Sequence, residues 1–170
     1  MNEVRVLDGD GRILPPGAVG QIAVRGPQLM REYWDDPEAT AARLVDGWLR
    51  SGDVGRLDDA GFLTLVDRED DVIITGGFNV YPREVELVLE SHPAVLEAAV
   101  AAVPHPRWGQ GVAAWLVRRP GANATERELV DHCRGRLAGY KKPVRITFVD
   151  ALPRNATGKL LRRRLREQTS

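Results

Sequence analysis

DREDDVIITGGFNVYPREVE, residues Asp67 to Glu86, is the stretch on which the reading of the fold turns. A charged cluster, Asp67, Arg68, Glu69, Asp70 and Asp71, comes first, and a β-branched run, Val72, Ile73 and Ile74, follows it. Gly76 and Gly77 come next, and then Pro82 with Glu84 and Glu86 close behind. Charges ahead of an apolar run read as a solvent-exposed connection. The glycine pair reads as a loop whose backbone something approaches closely. Proline at a first helical position, with acids in the first turn, opens a helix. The stretch therefore reads as a linker, a short strand, a tight turn and a helix, and it places a domain boundary near Asp70.

Before it the chain is mostly β. Val4 to Leu7 is a short apolar stretch that ends in the turn-rich sequence DGDGR, and Pro15-Pro16-Gly17 makes another loop. Gln21 to Arg25 alternates polar and apolar residues, as a half-buried strand does. These pieces predict a hairpin or part of a small barrel. Asp36-Pro37-Glu38 opens a short helix through about Leu44, with Asp36 as N-cap and Pro37 in the first turn. Strands near Val54 to Leu57 and Phe62 to Val66 flank Asp58-Asp59-Ala60-Gly61, a hairpin signal.

After it, helices and strands intersperse. The pattern predicts a helix over Pro82 to Glu90 with Val85, Val88 and Leu89 on one face. Leu96 to Val103 is an apolar strand, PHPRWGQ (Pro104 to Gln110) a loop, and Val112 to Val117 a second strand. Thr125 and Glu128 form a capping box for a helix that ends near Gly139. Val144 to Val149 is a third strand, and a final helix runs from Leu160 to about Gln168. The expected fold is α+β. A small, mostly-β subdomain, residues 1–69, precedes a compact C-terminal domain, residues 70–170, built on a small sheet with helices.

Composition narrows the function classes. The chain has 170 residues, room for one or two small domains. Lys+Arg and Asp+Glu are 24 each, so the net charge implies no polyanionic partner. Arg154 to Arg166 is strongly basic, but Leu161 and Leu165 are spaced to pack on one face with arginines on the other. No aromatic residue interleaves them, so a solvated helix face is expected and no nucleic acid. The one cysteine, Cys133, leaves no internal disulfide and permits a cytoplasmic location. No apolar run reaches the length of a membrane span, and the N-terminus has no signal-peptide core. His92, His105 and His132 show no metal-ligand spacing with Cys133, so no structural metal is expected.

Four stretches, in this order, resemble the adenylate-forming enzymes: acyl-CoA synthetases, luciferases and the adenylation domains of peptide synthetases. They are GQIAVRGPQLMREYWDDPEAT (Gly20 to Thr40), DGWLRSGDVGRLDDAGFL (Asp46 to Leu63), the opening stretch, and LPRNATGKLLRRRLRE (Leu152 to Glu167). They cover nearly the whole chain, which resembles only the C-terminal third of that family. The resemblance implies a partner portion lying N-terminal in the same enzyme, with the family's phosphate loop and acyl pocket. It also implies ATP, Mg²⁺ and CoA as substrates and ion of the complete enzyme, and a fatty or aryl carboxylic acid as the group activated. The isolated chain is then expected to be inactive.

The residues themselves allow two readings at each position. Asp53 is a turn residue bonding its own backbone; under the resemblance it accepts hydrogen bonds from the ribose hydroxyls of ATP, as an ionised carboxylate is suited to do. Lys159, in Asn155-Ala156-Thr157-Gly158-Lys159, is a surface lysine at the head of a basic helix. Under the resemblance it is the catalytic cation offsetting charge that builds on the α-phosphate when a carboxylate displaces pyrophosphate. A P-loop is excluded, because Leu160 follows Lys159 and the GxxxxGK[ST] spacing is absent. Asp70 belongs to a cluster whose charges could satisfy one another; under the resemblance it is the pivot between the domains, and Arg68 also reaches the ribose. Gly76 and Gly77 would let a pantetheine arm pass, and Trp108, Tyr140 and Lys142 fall where some members contact CoA. A flat aromatic can stack on adenine and a lysine can pair with phosphate.

GGFNVYPREVE resembles fatty-acid and aryl-acid CoA ligases more than peptide-synthetase modules. The leading expectation is thus the C-terminal portion of a carboxylic acid–CoA ligase, which forms acyl-AMP and then acyl-CoA by rotation of the small domain about Asp70. The alternatives are an adenylation module that loads a carrier protein, and a non-catalytic binding domain of the same fold.

Overall fold

A computed structural model of the chain describes residues 2–167. The chain divides into two compact units, Met1–Asp70 and Asp71–Ser170.

The first unit is one antiparallel five-stranded sheet with a short helix. β1 (Glu3–Leu7) pairs with β2 (Gly20–Arg25), and β2 with β4 (Trp48–Leu57). The far edge of β4 is shared by β3 (Leu44–Val45) and β5 (Leu63–Arg68). Val6, Ile22, Ala23 and Val54 are buried. The helix α1 (Pro37–Arg43) starts where its cap chemistry requires: Asp36 accepts from the Ala39 N–H at 2.9 Å, with proline in the first turn. The Asp58 hairpin also forms, its carboxylate accepting from Ala60 N at 3.0 Å and Phe62 N at 2.8 Å. β4 begins at Trp48, not Val54. Asp46 and Gly47 take positive φ values of 51° and 75° and reverse the chain, so that WLRSG pairs back on β3 and β2.

The second unit holds a five-stranded sheet centred on β9. β8 (Val95–His105) runs antiparallel along one edge of β9 (Gly109–Arg118). The other edge of β9 carries β10 (Arg145–Phe148), in parallel, and β6 (Ile73–Thr75), antiparallel. β7 (Phe78–Val80) extends the sheet from β6. The runs LEAAVAAV and VAAWLV are nearly continuous in apolar residues because both faces of this sheet are covered. Alternate residues go to opposite faces. Val100, Val112, Ala114 and Leu116 join Val85 and Leu89 of α2 (Pro82–Glu90) and Leu129 and Cys133 of α3 (Glu126–Cys133). Ala99, Ala101, Ala113 and Trp115 pack instead with Leu152 and with Leu165 of α4 (Arg162–Glu167).

The α+β class is as expected, with local differences in the second unit as well. The capping box forms, Glu128 N to Thr125 Oγ1 at 3.2 Å and Thr125 N to Glu128 Oε2 at 2.8 Å, but α3 ends at Cys133 rather than near Gly139. Arg134 is already extended, and Gly139 opens a separate 3-10 turn, Gly139–Lys141. Burial pushes the Cys133 thiol pKa up. The glycine pair connects two strands, so a second strand, β7, stands where a loop was expected. The last helix starts at Arg162, because Leu160 bridges back to Arg154; Gln168 lies outside the described residues.

Candidate functional site

The first unit sets out Asp53 and Arg68 as a cross-strand pair. Asp53 of β4 lies opposite Arg68 of β5, and Arg68 Nε is 3.3 Å from Asp53 Oδ1. A bulge aims the carboxylate. Gln21 pairs with Val54 and Ala23 with Arg50, so Ser51, Gly52 and Asp53 all face the lone Ile22. Gly52 takes φ 78°, and the Ser51 hydroxyl donates to Ile22 O at 3.2 Å and accepts from Asp53 N at 3.1 Å. Extra residues of this kind bend a strand and re-aim its side chains. The Asp53 side chain is 31% exposed.

The charged cluster does not satisfy itself. Arg68 turns to Asp53, Glu69 to Gln21 and to Arg43 at 3.0 Å, and Asp71 to Arg162 at 3.2 Å. Asp70 sits in the middle of a 3-10 turn, Glu69–Asp71; it is exposed, and among the described residues it makes no ion pair.

In the second unit Lys159 ends a tight hairpin loop. Asn155 holds the loop from inside: its Oδ1 accepts from Thr157 N at 3.1 Å, Thr157 Oγ1 at 2.8 Å and Lys159 N at 2.8 Å. Asn155 N donates to Lys159 O at 2.9 Å, and Gly158 takes φ 82°, a left-handed value that suits glycine. Arg154 ties the loop to β8 through Glu97 at 2.8 Å and donates to Gly158 O at 3.0 Å. The Lys159 backbone is thus held on both sides. Its side chain is exposed and makes no ion pair among the described residues.

Gly76, Trp108 and Tyr140 come together, and Gly77 adjoins them. Gly76 (φ 56°) and Gly77 (φ 85°) form the two-residue turn between β6 and β7. Left-handed values at both central residues are what a primed hairpin turn needs. Gly76 N donates to Trp108 O at 3.1 Å, which draws the 106–108 connection against the turn; the loop expected over Pro104 to Gln110 is shorter, because β8 runs on to His105 and β9 starts at Gly109. Trp108 stacks on His105, centroids 4.3 Å apart, and Tyr140 stacks on Phe78 at 4.7 Å. Thr75, Gly76, Phe78, Trp108, Gly139 and Tyr140 line an open, largely apolar cleft of about 250 Å³. Trp108 is 39% exposed. Lys142 is half-buried and does not line this cleft. Its neighbour Lys141 approaches instead, 5.9 Å from the Tyr140 ring centre and 2.7 Å from both Glu84 oxygens. Sequence reasoning missed Phe78 and Lys141. Phe78 could have been found as an exposed aromatic beside the glycine turn; nothing local announces the Lys141–Glu84 pair. Tyr81, beside Lys141 and Asn79, has its phenol pKa raised, chiefly by burial.

Lys159 and the cleft lie at opposite ends of one hairpin. The lysine loop is tied to β8 at Glu97, whereas the cleft sits where β8 ends at His105 and β9 begins at Gly109. At about 3.3 Å per residue, Glu97 and His105 are roughly 25 Å apart.

Comparison with known proteins gives this frame its class, the C-terminal part of the adenylate-forming acid ligases. Residues 84–159 match the AMP-binding enzyme C-terminal domain. It is 48% identical to the fatty acid–[acyl-carrier-protein] ligase ScoC of Streptomyces coeruleorubidus, covering 96% of this chain and 32% of that ligase. It is 52% identical to the 2-succinylbenzoate–CoA ligase of Geobacillus kaustophilus, covering 92% of this chain and 32% of the ligase. ATP-bound MatB from Rhodopseudomonas palustris superposes with a TM-score of 0.93 at 41% identity, covering 98% of this chain and 34% of that one. The chain spans about a third of the length of these curated relatives.

Among the described residues no group of three or more His, Cys, Asp or Glu side chains converges as a metal site.

Proposed function

We propose that this chain is the C-terminal portion of a ligase that activates a carboxylic acid as acyl-AMP with ATP and then passes the acyl group to a thiol, CoA. Asp53, held by Arg68, accepts hydrogen bonds from the ribose hydroxyls. Lys159 offsets negative charge on the α-phosphate while the acid's carboxylate attacks and pyrophosphate leaves. The thiol then attacks the acyl carbonyl and AMP departs. Gly76, Gly77, Trp108 and Tyr140 receive the pantetheine and adenine of the incoming CoA, with Lys142 or Lys141 near its phosphates. Asp70 is the pivot that exchanges one end of the second unit for the other.

The observation that most supports this reading is the separation of the Lys159 loop from the aromatic cleft. The lysine loop is anchored by Arg154 at Glu97, near the start of β8, whereas the cleft sits beyond its end at His105, and groups set apart in this way do not serve one reacting centre together. They can serve it in turn, if the unit that carries them rotates. That matches a two-step reaction with a phosphate-centred first half and a thiol-centred second half.

A carrier-protein acceptor is the second reading, because the ScoC relative is a ligase for acyl-carrier protein. The acceptor assay separates the two. Preformed acyl-adenylates of fatty and aryl acids are given to the complete ligase with either CoA or a phosphopantetheinyl carrier protein. The proposal expects thioester with CoA, and a loss of at least tenfold in CoA turnover in Trp108→Ala with adenylation retained. Thioester on the carrier protein alone would refute CoA as acceptor, and an unchanged Trp108→Ala would remove the cleft from the site.

A further inference from the structure

Among the described residues the second unit contains a buried charged network that joins the start of that unit to its last helix, two segments that the proposed reaction needs to move together. Glu86 of α2 has a side chain only 4% exposed, and Arg162, at the start of α4, is 14% exposed. Arg162 Nη1 donates to Glu86 Oε1 and to Val100 O, and Glu86 Oε1 also accepts from Val100 N at 3.0 Å. Arg162 Nε lies 3.2 Å from Asp71 Oδ2, and Arg166 reaches Asp71 Oδ1 at 3.9 Å. One guanidinium therefore bridges α2, β8 and Asp71, the first residue of the second unit.

Such a network is a poor device for stability alone. Well-packed apolar residues often hold a core as well as a buried ion pair does, so its use lies in fixing one arrangement. Here the arrangement fixed is specific. Arg162 follows Lys159 by one short segment, and Asp71 follows Asp70 directly. Leu165 anchors the far side of α4 in the core, and Arg162 anchors the turn nearest the lysine loop.

We propose that Arg162 and Asp71 are positioning residues for Lys159: the Asp71–Arg162–Glu86 network seats the lysine loop rigidly on the pivot segment, so that rotation at Asp70 delivers Lys159 to a fixed point. This rests on the reading of Lys159 and Asp70 given above. Neither residue touches substrate. A misplacement of about 1 Å in a catalytic group costs up to about 10²-fold in rate, and that is the scale expected when the link is cut.

The test uses Asp71→Asn, which leaves the buried Glu86–Arg162–Val100 contacts in place, together with Arg162→Gln and the conservative Arg162→Lys. In the complete ligase, kcat for adenylation falls by about 10- to 100-fold in Arg162→Gln and by a smaller factor in Asp71→Asn. KM for ATP stays within about twofold, since the ribose pair lies in the other unit, and thioester formation from preformed acyl-adenylate is likewise little changed. Arg162→Lys recovers part of the rate, as it keeps the charge but not the planar fork. In the 170-residue chain, amide exchange at Leu161, whose N–H is held by Pro153 O at 2.8 Å, quickens in both Arg162→Gln and Asp71→Asn. Equal losses in both half-reactions, or unaltered adenylation in both Asp71→Asn and Arg162→Gln, overturn the proposal. Lys159→Ala is run beside them: if it leaves adenylation intact, the reading of Lys159 fails, whereas a slow Lys159→Ala with normal Arg162 and Asp71 variants sinks only the positioning role.

Discussion

Lys159→Ala separates chemistry from folding more cleanly than any other change in the chain. The side chain is exposed and makes no ion pair among the described residues, and the loop is held by Asn155 and the backbone rather than by the ammonium group. Truncation therefore breaks no described ion pair, and a surface change of this sort moves stability by about 0.5 kcal/mol or less. The rate effect is set by a different interaction. A unit charge about 4 Å from developing negative charge, at an effective dielectric near 20, is worth roughly 4 kcal/mol. Removing one fixed charge contact of the oxyanion type costs about 3–4 kcal/mol, or on the order of 10²–10³ in rate. The assay gives the complete ligase either acid with ATP, read as pyrophosphate release, or preformed acyl-adenylate with CoA, read as thioester. The first should fall by that factor and the second by little, with an unchanged melting temperature. Equal losses would mean that Lys159 supports both states alike. No loss in the first assay would make it an ordinary surface lysine.

Asp70→Pro should spare adenylation and slow thioester formation in the complete ligase, because proline fixes φ near −65°, a value native to the 3-10 turn that Asp70 occupies; equal rates in both half-reactions would remove the pivot. Purified 1–170 with ATP, Mg²⁺ and a panel of fatty and aromatic acids should release no pyrophosphate above background, since the chain spans about a third of the ligases it resembles; release above background would refute this. His132 should make the second unit acid-sensitive. Its pKa is lowered, first by burial and then by Arg136 and His92, while its Nε2 faces Val88 O at 3.1 Å and Ser91 Oγ at 2.9 Å. The unfolded chain then binds the proton more readily than the folded one, so this contribution is intact above the ordinary value of 6.5 and lost as pH falls through the lowered one. The urea midpoint should drop more between pH 7.5 and pH 5.5 for the natural chain than for His132→Asn, and equal drops would exclude His132.

What the sequence made legible was local and periodic. LEAAVAAV and VAAWLV read as strands because β-branched and small apolar residues fill both faces, and Asp36, Thr125 and Asp58 announced their caps and turns. The hairpin of β6 and β7 was also written locally, as two short apolar runs separated by a glycine pair. The approaching Pro82 drew the reading toward a helix, and a strand as short as Phe78–Val80 gives little periodicity to oppose it. The candidate site was legible as motifs and not as contacts. Nothing near Asp71 names Arg162 as its partner, and nothing near Glu84 names Lys141, because each pair is made by strands and helices that meet only in the folded sheet. The cluster from Asp67 to Asp71 shows the cost of a local reading: its charges look mutually satisfied in sequence, yet Arg68, Glu69 and Asp71 each turn to a partner far along the chain.

If the proposed reading holds, the second unit has to carry parts for two half-reactions without blurring them. The Lys159 loop is fixed to β8 near Glu97 by Arg154, and the aromatic cleft is fixed to the far end of the same hairpin by Gly76, His105 and Trp108. A β-hairpin covered on both faces transmits displacement as a rigid body, because close-packed interiors do not deform continuously. A small φ/ψ change at Asp70 would then move both ends by many ångströms while leaving each end's internal geometry untouched. The independence of Lys159→Ala and Trp108→Ala in the two half-reactions is therefore the physical signature of this arrangement: the first should leave thioester formation alone, the second should leave adenylation alone, and their combination should lose each rate by the factor of the corresponding single change.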